Sequence, residues 1–342
     1  MSLWTKRHAI PELFSSHTVA RSTVVGGKIW TLCEIMDEDD VDNQSQLYVF
    51  DPVSEVFTKV NCVYPANWPE MYFLSAHDNY LYIWRGTDFR EDTDRHLYRL
   101  NVATLEWEYI MTIHRVDSIF TSVIINEQVM YALEADFLSK EITLISIDLP
   151  KKEVIDIQQL TLFDREWNFF LSTHNDKLYL IKACNGCRKV SEVKNGMLIE
   201  VAQEEVDQYE RANAVHCTHL NECLAFTSKY DKFVLRSFDF ELLKWTAEVT
   251  TGDWLVQGNF IRIQNVVKSN RSIYVLGVIR CGEEREFELY KLDLHPNLSS
   301  ICLVSLSEES DKEKLKVVKQ QLPIPLRVEL KELIEWKTNP LL

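Results

Sequence analysis

A two-residue phrase, an apolar residue followed by an aromatic one, returns along the chain at Ile29-Trp30, Leu81-Tyr82, Met130-Tyr131, Leu178-Tyr179, Leu224-Ala225 and Ile273-Tyr274. Successive copies stand 46 to 52 residues apart, and only Leu224-Ala225 lacks the aromatic member. A period of that length restricts a chain to architectures in which one small unit is stacked or arrayed. Each copy follows a polar pair suited to a tight turn: Gly26-Gly27, Asp78-Asn79, Asn126-Glu127, Asn175-Asp176, Asn221-Glu222 and Ser269-Asn270. An apolar run precedes each pair, so the unit begins with a β-hairpin.

A second column follows the hairpin, an alternating strand closed by Asp or Asn: Leu47 to Asp51, Leu97 to Asn101, Leu144 to Asp148, Leu235 to Asp239 and Leu289 to Asp293. Six residues past the Asp or Asn stands Phe57, Trp107, Val154 or Trp245 in four of these five copies. An Asx side chain there can hold a turn by a local hydrogen bond, after which the bulky residue opens a fourth strand packing on the third. In the fourth repeat this pattern fails, and the third strand is read at Met197 to Val201 after a long insertion. The period-two alternation and the Val, Ile, Phe, Tyr and Trp content exclude a helical repeat.

Four short antiparallel strands repeated six times predict an all-β, six-bladed β-propeller. The predicted blades are 17–60, 70–110, 118–157, 167–209, 213–249 and 258–306, with 1–16 before them and a charged tail, 307–342, after them. Either terminal segment is a candidate for the strand that closes the ring, and the tail is alternatively a docking segment. The aromatic members of the phrase are expected in the core between neighbouring blades.

The apolar-Tyr second strand, the Leu-Tyr-x-apolar-Asp third strand and the Trp six residues later resemble the kelch repeat, most closely in Leu47 to Phe57, Leu97 to Trp107 and Val234 to Trp245. The kelch Gly-Gly pair is missing from its place after the second strand, where Cys33-Glu34, Arg85-Gly86 and Lys182-Ala183 stand in three of the repeats. The resemblance implies a kelch-type propeller acting as a protein-interaction platform, with partners on the face formed by second-to-third-strand loops and blade-to-blade loops. On that face the expected partner-binding residues are Tyr64, Trp68, Arg85, Arg90, Arg115, Arg165, Trp167, Arg211 and Trp254. Arginine grips carboxylates with two parallel hydrogen bonds, and Tyr and Trp add rigid contact area with a polar handle. Kelch proteins also imply ubiquitin-ligase or cytoskeletal complexes; with 16 residues ahead of the first blade, service in a ligase is expected through a separate subunit.

The formal net charge of −15 argues against general nucleic-acid binding. No signal-peptide pattern opens the chain and no uninterrupted apolar run reaches membrane-spanning length, so a cytoplasmic or nuclear protein without membrane contact is expected. Eight irregularly placed cysteines fit reduced thiols, and the sequons at Asn43, Asn270 and Asn297 are read as incidental. Cys184-Asn-Gly-Cys187 has the spacing of half a zinc site or of a redox pair, but lacks a second C-x-x-C and is read as a turn. The acidic run from Asp37 to Asp42 lacks the glycine and terminal Glu of a calcium loop. No G-x-S-x-G, H-E-x-x-H, P-loop or G-x-G-x-x-G occurs. The expectation is a non-enzymatic adaptor or scaffold with no cofactor and no metal. The alternatives are an enzyme whose residues converge from several blades at the channel mouth, and a permanent subunit of a larger assembly. The charge of the bound segment stays open: acidic for the arginines, basic for the Asp37 to Asp42 run.

Overall fold

Residues of alternating character can bury one side of a strand in each of two interfaces, and the sheets use that freedom throughout. The computed structural model describes residues 3–9, 19–35, 44–62, 72–85, 95–113, 119–136, 141–161, 168–184, 187–205, 210–217, 223–229, 232–245, 249–250, 260–269, 272–281 and 284–293. The strand β1 (Leu3–Ala9) comes first, then β2 (Val19–Val25), β3 (Lys28–Ile35), β4 (Gln44–Asp51) and β5 (Val56–Val60). Next are β6 (Tyr72–His77), β7 (Tyr80–Arg85), β8 (Arg95–Asn101) and β9 (Trp107–Ile113), followed by β10 (Ile119–Asn126), β11 (Val129–Asp136), β12 (Glu141–Asp148) and β13 (Glu153–Thr161). The chain continues with β14 (Asn168–His174), β15 (Lys177–Cys184), β16 (Cys187–Lys194) and β17 (Met197–Glu205). It ends with β18 (Glu210–Cys217), β19 (Cys223–Lys229), β20 (Lys232–Asp239), β21 (Lys244–Trp245), β22 (Val249–Thr250), β23 (Phe260–Ser269), β24 (Ser272–Cys281) and β25 (Glu284–Asp293).

These strands form antiparallel meanders, β2 to β5, β6 to β9, β10 to β13, β14 to β17 and β18 to β21, with β22 added beside β20. The remaining sheet runs β23, β24, β25 and then β1, so its outermost strand comes from the start of the chain. Leu3 faces Asp293 and Ala9 faces Glu288 across that pairing. The first strand of each sheet touches the first strand of the next, in the cycle β2, β6, β10, β14, β18, β23 and back to β2. Sheets arrayed this way are blades of a β-propeller.

The repeated phrase divides its two residues between interfaces. Ile29, Leu81, Met130 and Leu178 pack toward the preceding blade, whereas Trp30, Tyr82, Tyr131, Tyr179 and Tyr274 pack toward the following one. Phe57, Trp107, Val154 and Trp245 join the preceding-blade interface. One period-two register thus builds both walls of a blade.

The Asx turn is as the spacing predicts. Asp51 Oδ1 accepts from Val53 N at 2.9 Å, Asn101 Oδ1 from Ala103 N at 2.9 Å, Asp148 Oδ1 from Lys151 N at 2.9 Å and Asp239 Oδ1 from Leu242 N at 2.9 Å. Four residues past each Asx the backbone is left-handed, at Glu55 (φ 56°), Leu105 (φ 59°), Lys152 (φ 58°) and Leu243 (φ 49°). Glycine or asparagine takes this conformation at least cost, and none of the four is either.

Three details correct the sequence reading. The fourth repeat has no long insertion: β16 is its third strand and Met197 to Val201 lies in its fourth, because Asn195-Gly196 replaces the Asx turn that marks the other repeats. Asn126 pairs with Val129, which places that turn at 127–128, one residue further on, and Ser269 pairs with Ser272 across the start of the sixth blade's hairpin. Arg211 belongs to a strand, β18, opposite Ser228, rather than to a blade-to-blade loop.

Candidate interaction face

At one end of the blades lie the third-to-fourth-strand turns, edged by exposed ion pairs such as Lys28 with Asp51 (3.3 Å) and Lys151 with Asp148 (2.9 Å). Solvated pairs of this kind contribute little energy. At the other end lie the second-to-third-strand connections, and these are lopsided. The first two blades use residues 36–43 and 86–94, whereas the fourth, fifth and sixth use only 185–186, 230–231 and 282–283. Connections longer than a hairpin needs are where binding residues concentrate. Residues 36–43 carry five carboxylates and no basic side chain; residues 86–94 carry four and one arginine.

Beside the root of the 86–94 connection, on the side of the second blade turned toward the first, stands a cluster that sequence reading missed. Ile83, Tyr98 and Tyr109 share a row across β7, β8 and β9, and His96 pairs with Thr112 two positions along the same face. His96 Nδ1 and Tyr109 Oη both lie within hydrogen-bond distance of Thr112 Oγ1, at 2.7 and 2.6 Å. The Tyr98 and Tyr109 rings meet edge-on at 5.6 Å, and His96 lies 6.3 and 6.2 Å from them. Tyr109 remains 49 % exposed. Blades diverge with distance from the axis, so an outer row of this kind lines an open wedge. Its sequence signal was Tyr109 in the outermost strand β9, two residues past Trp107 on the same face, where a solvent-facing polar residue is the norm.

Charge at the same end is mostly spent inside. Arg95, the first residue of β8, is ion-paired with Glu134 of the next blade, their side chains 6 % and 1 % exposed. Between the fourth and fifth blades Glu204 accepts from Arg188 at 3.1 Å and from Arg236, and the Arg188 guanidinium lies 5.4 Å from the Trp245 ring centre. These arginines tie blades together and are too enclosed to grip a partner. On the opposite face of the fourth blade Lys182 and Lys189 are directly paired across β15 and β16. Burial holds the Lys182 ammonium below the usual lysine range, Lys189 adds to that, and Glu200 opposes it.

Of the residues expected to bind a partner, Tyr64, Trp68, Arg90, Arg115, Arg165, Trp167 and Trp254 lie outside the described residues. Arg85 is the last residue of β7, opposite Tyr72, and so roots the 86–94 connection. Arg211 is on β18. Cys184 and Cys187 end β15 and begin β16 as Cα partners. Among the described residues no three His, Cys, Asp or Glu side chains gather as a metal site.

No family model and no curated protein matches the sequence. Among solved structures, the Trypanosoma rangeli sialidase is similar with a TM-score of 0.52 at 10% identity, over 81% of this chain and 54% of that one. The same sialidase in complex with the inhibitor DANA gives 0.52 at 11% identity, over 88% and 58%. The β-propeller domain of the Trilobed protease from Pyrococcus furiosus gives 0.44 at 12% identity, over 80% and 84%. The chain spans a little over half the length of the sialidase. At such identities the likeness concerns architecture alone: this chain is an all-β β-propeller of four-stranded antiparallel blades.

Proposed function

We propose that this chain is a non-enzymatic interaction module, a closed six-bladed kelch-like propeller that docks a basic segment of a partner protein in the wedge between its first two blades. The ring reading is supported by the cyclic contacts of the first strands and by the Asx turn recurring at one place in four blades. The docking reading rests on one observation: the His96, Tyr98 and Tyr109 cluster lies on the side of the second blade turned toward the first, beside the root of the acidic 86–94 connection. Half-exposed tyrosine offers contact area at small entropic cost, and the nine carboxylates of 36–43 and 86–94 draw in and retain lysine or arginine.

The test is affinity capture from cell extract with three forms of the whole chain: unaltered, Tyr109→Ala, and one with Asp37, Glu38, Asp39, Asp40 and Asp42 changed to their amides. Both altered forms should lose the same partner, and raising the salt should release it from the unaltered chain. Recovery of the same partners by all three forms, or retention that ignores salt, would refute the wedge.

A second reading, catalysis, is favoured only by the His96 to Thr112 contact, a base beside a hydroxyl. Tyr109 Oη occupies the same hydroxyl, which suits a structural chain of hydrogen bonds better than a nucleophile held ready. Partner capture by Thr112→Val equal to that of the unaltered chain would leave that hydroxyl no role in docking.

A further inference from the structure

The fourth blade joins β15 to β16 through two residues, and the residues on either side of that connection are both cysteine. Cys184 and Cys187 are Cα partners in the antiparallel ladder. Residues directly opposite one another in such a ladder have Cα atoms about 4.5 to 5.5 Å apart. A disulfide accepts Cα separations of about 4.4 to 6.8 Å. The register therefore sets the two cysteines opposite one another, where the Cα separations of a ladder fall within the range that a disulfide spans.

The neighbouring rows add to this. Lys182 and Lys189 are the next pair on the same face of β15 and β16, two residues along each strand from the cysteines. Cationic neighbours favour the thiolate, which is the reacting form of cysteine. Two carboxylates work against them: Glu200, 3.2 Å from the Lys189 Nζ, and Glu205, which faces Cys187 from β17. The contrast lies within the chain itself. Cys33 is fully enclosed between blades and burial pushes its thiol far up, which makes it inert.

We infer that Cys184 and Cys187 form a reversible dithiol–disulfide site at the tip of the fourth blade, oxidised by small-molecule disulfides. In the forward step one cysteine thiolate attacks the small disulfide, forming a mixed disulfide and releasing one small thiol. The second cysteine thiolate then attacks the protein sulfur of that mixed disulfide and releases the second small thiol. The two cysteines lose two electrons and two protons, and the small disulfide gains them. The bond closes a ring across the two-residue connection and pins the end of β15 to the start of β16, on the same end of the propeller as the docking wedge but two blades away. The site does not depend on the docking reading.

The probe is glutathione. The intact chain is equilibrated with mixtures of oxidised and reduced glutathione, quenched in acid, alkylated after unfolding and digested with trypsin. Cleavage after Lys182 and Arg188 releases residues 183–188, a peptide with both cysteines and no others. With oxidised glutathione in excess this peptide should be unlabelled and lighter by two hydrogens than the reduced peptide. With reduced glutathione in excess it should carry two labels, while the Cys33 peptide carries its label at every ratio. In Cys187→Ser, which cannot close the ring, Cys184 should instead retain one glutathione. Two labels on the 183–188 peptide at every ratio, or one glutathione on each cysteine of the unaltered chain, would overturn the assignment.

Discussion

Replacing Glu204 by Gln tests whether the enclosed ion cluster between the fourth and fifth blades holds them together. Glu204 is 25 % exposed and faces two guanidinium groups that are 2 % and 13 % exposed. Removing the carboxylate leaves both cations enclosed with their shared counter-ion gone. Breaking a buried pair costs about 3 to 5 kcal/mol, and partial exposure of Glu204 puts the expected loss at the low end, about 3 kcal/mol. The control is Glu200→Gln on the same strand, whose partner Lys189 is 33 % exposed while Glu200 itself is 49 % exposed. An exposed pair contributes about 0 to 1 kcal/mol, so this variant should lose less than a third as much. Urea unfolding followed by circular dichroism reads both; the midpoint of Glu204→Gln should fall by far more, with the slope unchanged. A second change, Arg236→Met in the Glu204→Gln background, should restore part of the loss by removing one of the two enclosed cations. Equal losses for Glu204→Gln and Glu200→Gln, or no recovery in the double variant, would refute the reasoning.

The left-handed residues offer a stabilising change. Leu243 (φ 49°) is 40 % exposed, so Leu243→Asn relieves backbone strain with little loss of packing and should raise stability by about 1 kcal/mol; an unchanged or lower unfolding midpoint would show that the turn is not strained. Acid should act through the Asx turns. The Lys151 backbone N–H, and then its ammonium, hold the Asp148 carboxyl below the usual carboxylate range. A carboxyl depressed in the folded state contributes stability above its unfolded value, near pH 4, and loses it as pH falls through the folded value. Asp148→Asn keeps the acceptor, as Asn101 does in the second blade, and removes the titration. Its thermal midpoint should fall less steeply below about pH 4 than that of the unaltered chain, and parallel curves would sink the argument.

The blade walls were legible because the sequence writes them locally. A hydrophobic residue followed by an aromatic one in a strand must point to opposite faces, so the phrase itself states that two interfaces exist. The Asx turn was equally local, its donor two or three residues away. The interblade ion pairs were not, since Arg95 and Glu134 lie 39 residues apart and Arg236 and Glu204 lie 32 apart. A trace of them was present in parity: Arg95 shares a face with Leu97, and Glu134 with Met130 and Ala132, all core positions. A charge on a core-facing parity needs a partner, but parity alone cannot say which blade supplies it. The strand β16 was misplaced for a related reason. Its sequence, Cys187-Arg-Lys-Val-Ser-Glu-Val-Lys194, carries only two strong hydrophobes, Val190 and Val193, and Val190 is buried in company with the polar Arg188 and Ser191.

The pairing of β1 with β25 sets an order of events during synthesis. Leu3 leaves the ribosome 290 residues before its partner Asp293, an interval of roughly 15 to 60 s at about 5 to 20 residues per second. Over that time the first blade has its neighbour on one side only. The other wall, with Val24, Ile29, Cys33, Tyr48 and Phe50, waits for Val267, Tyr274, Leu276 and Leu289 to be made. A nascent chain of this protein therefore presents an oily flank and an unpaired β1 over that whole interval, and both are covered only when the sheet of β23 to β25 arrives.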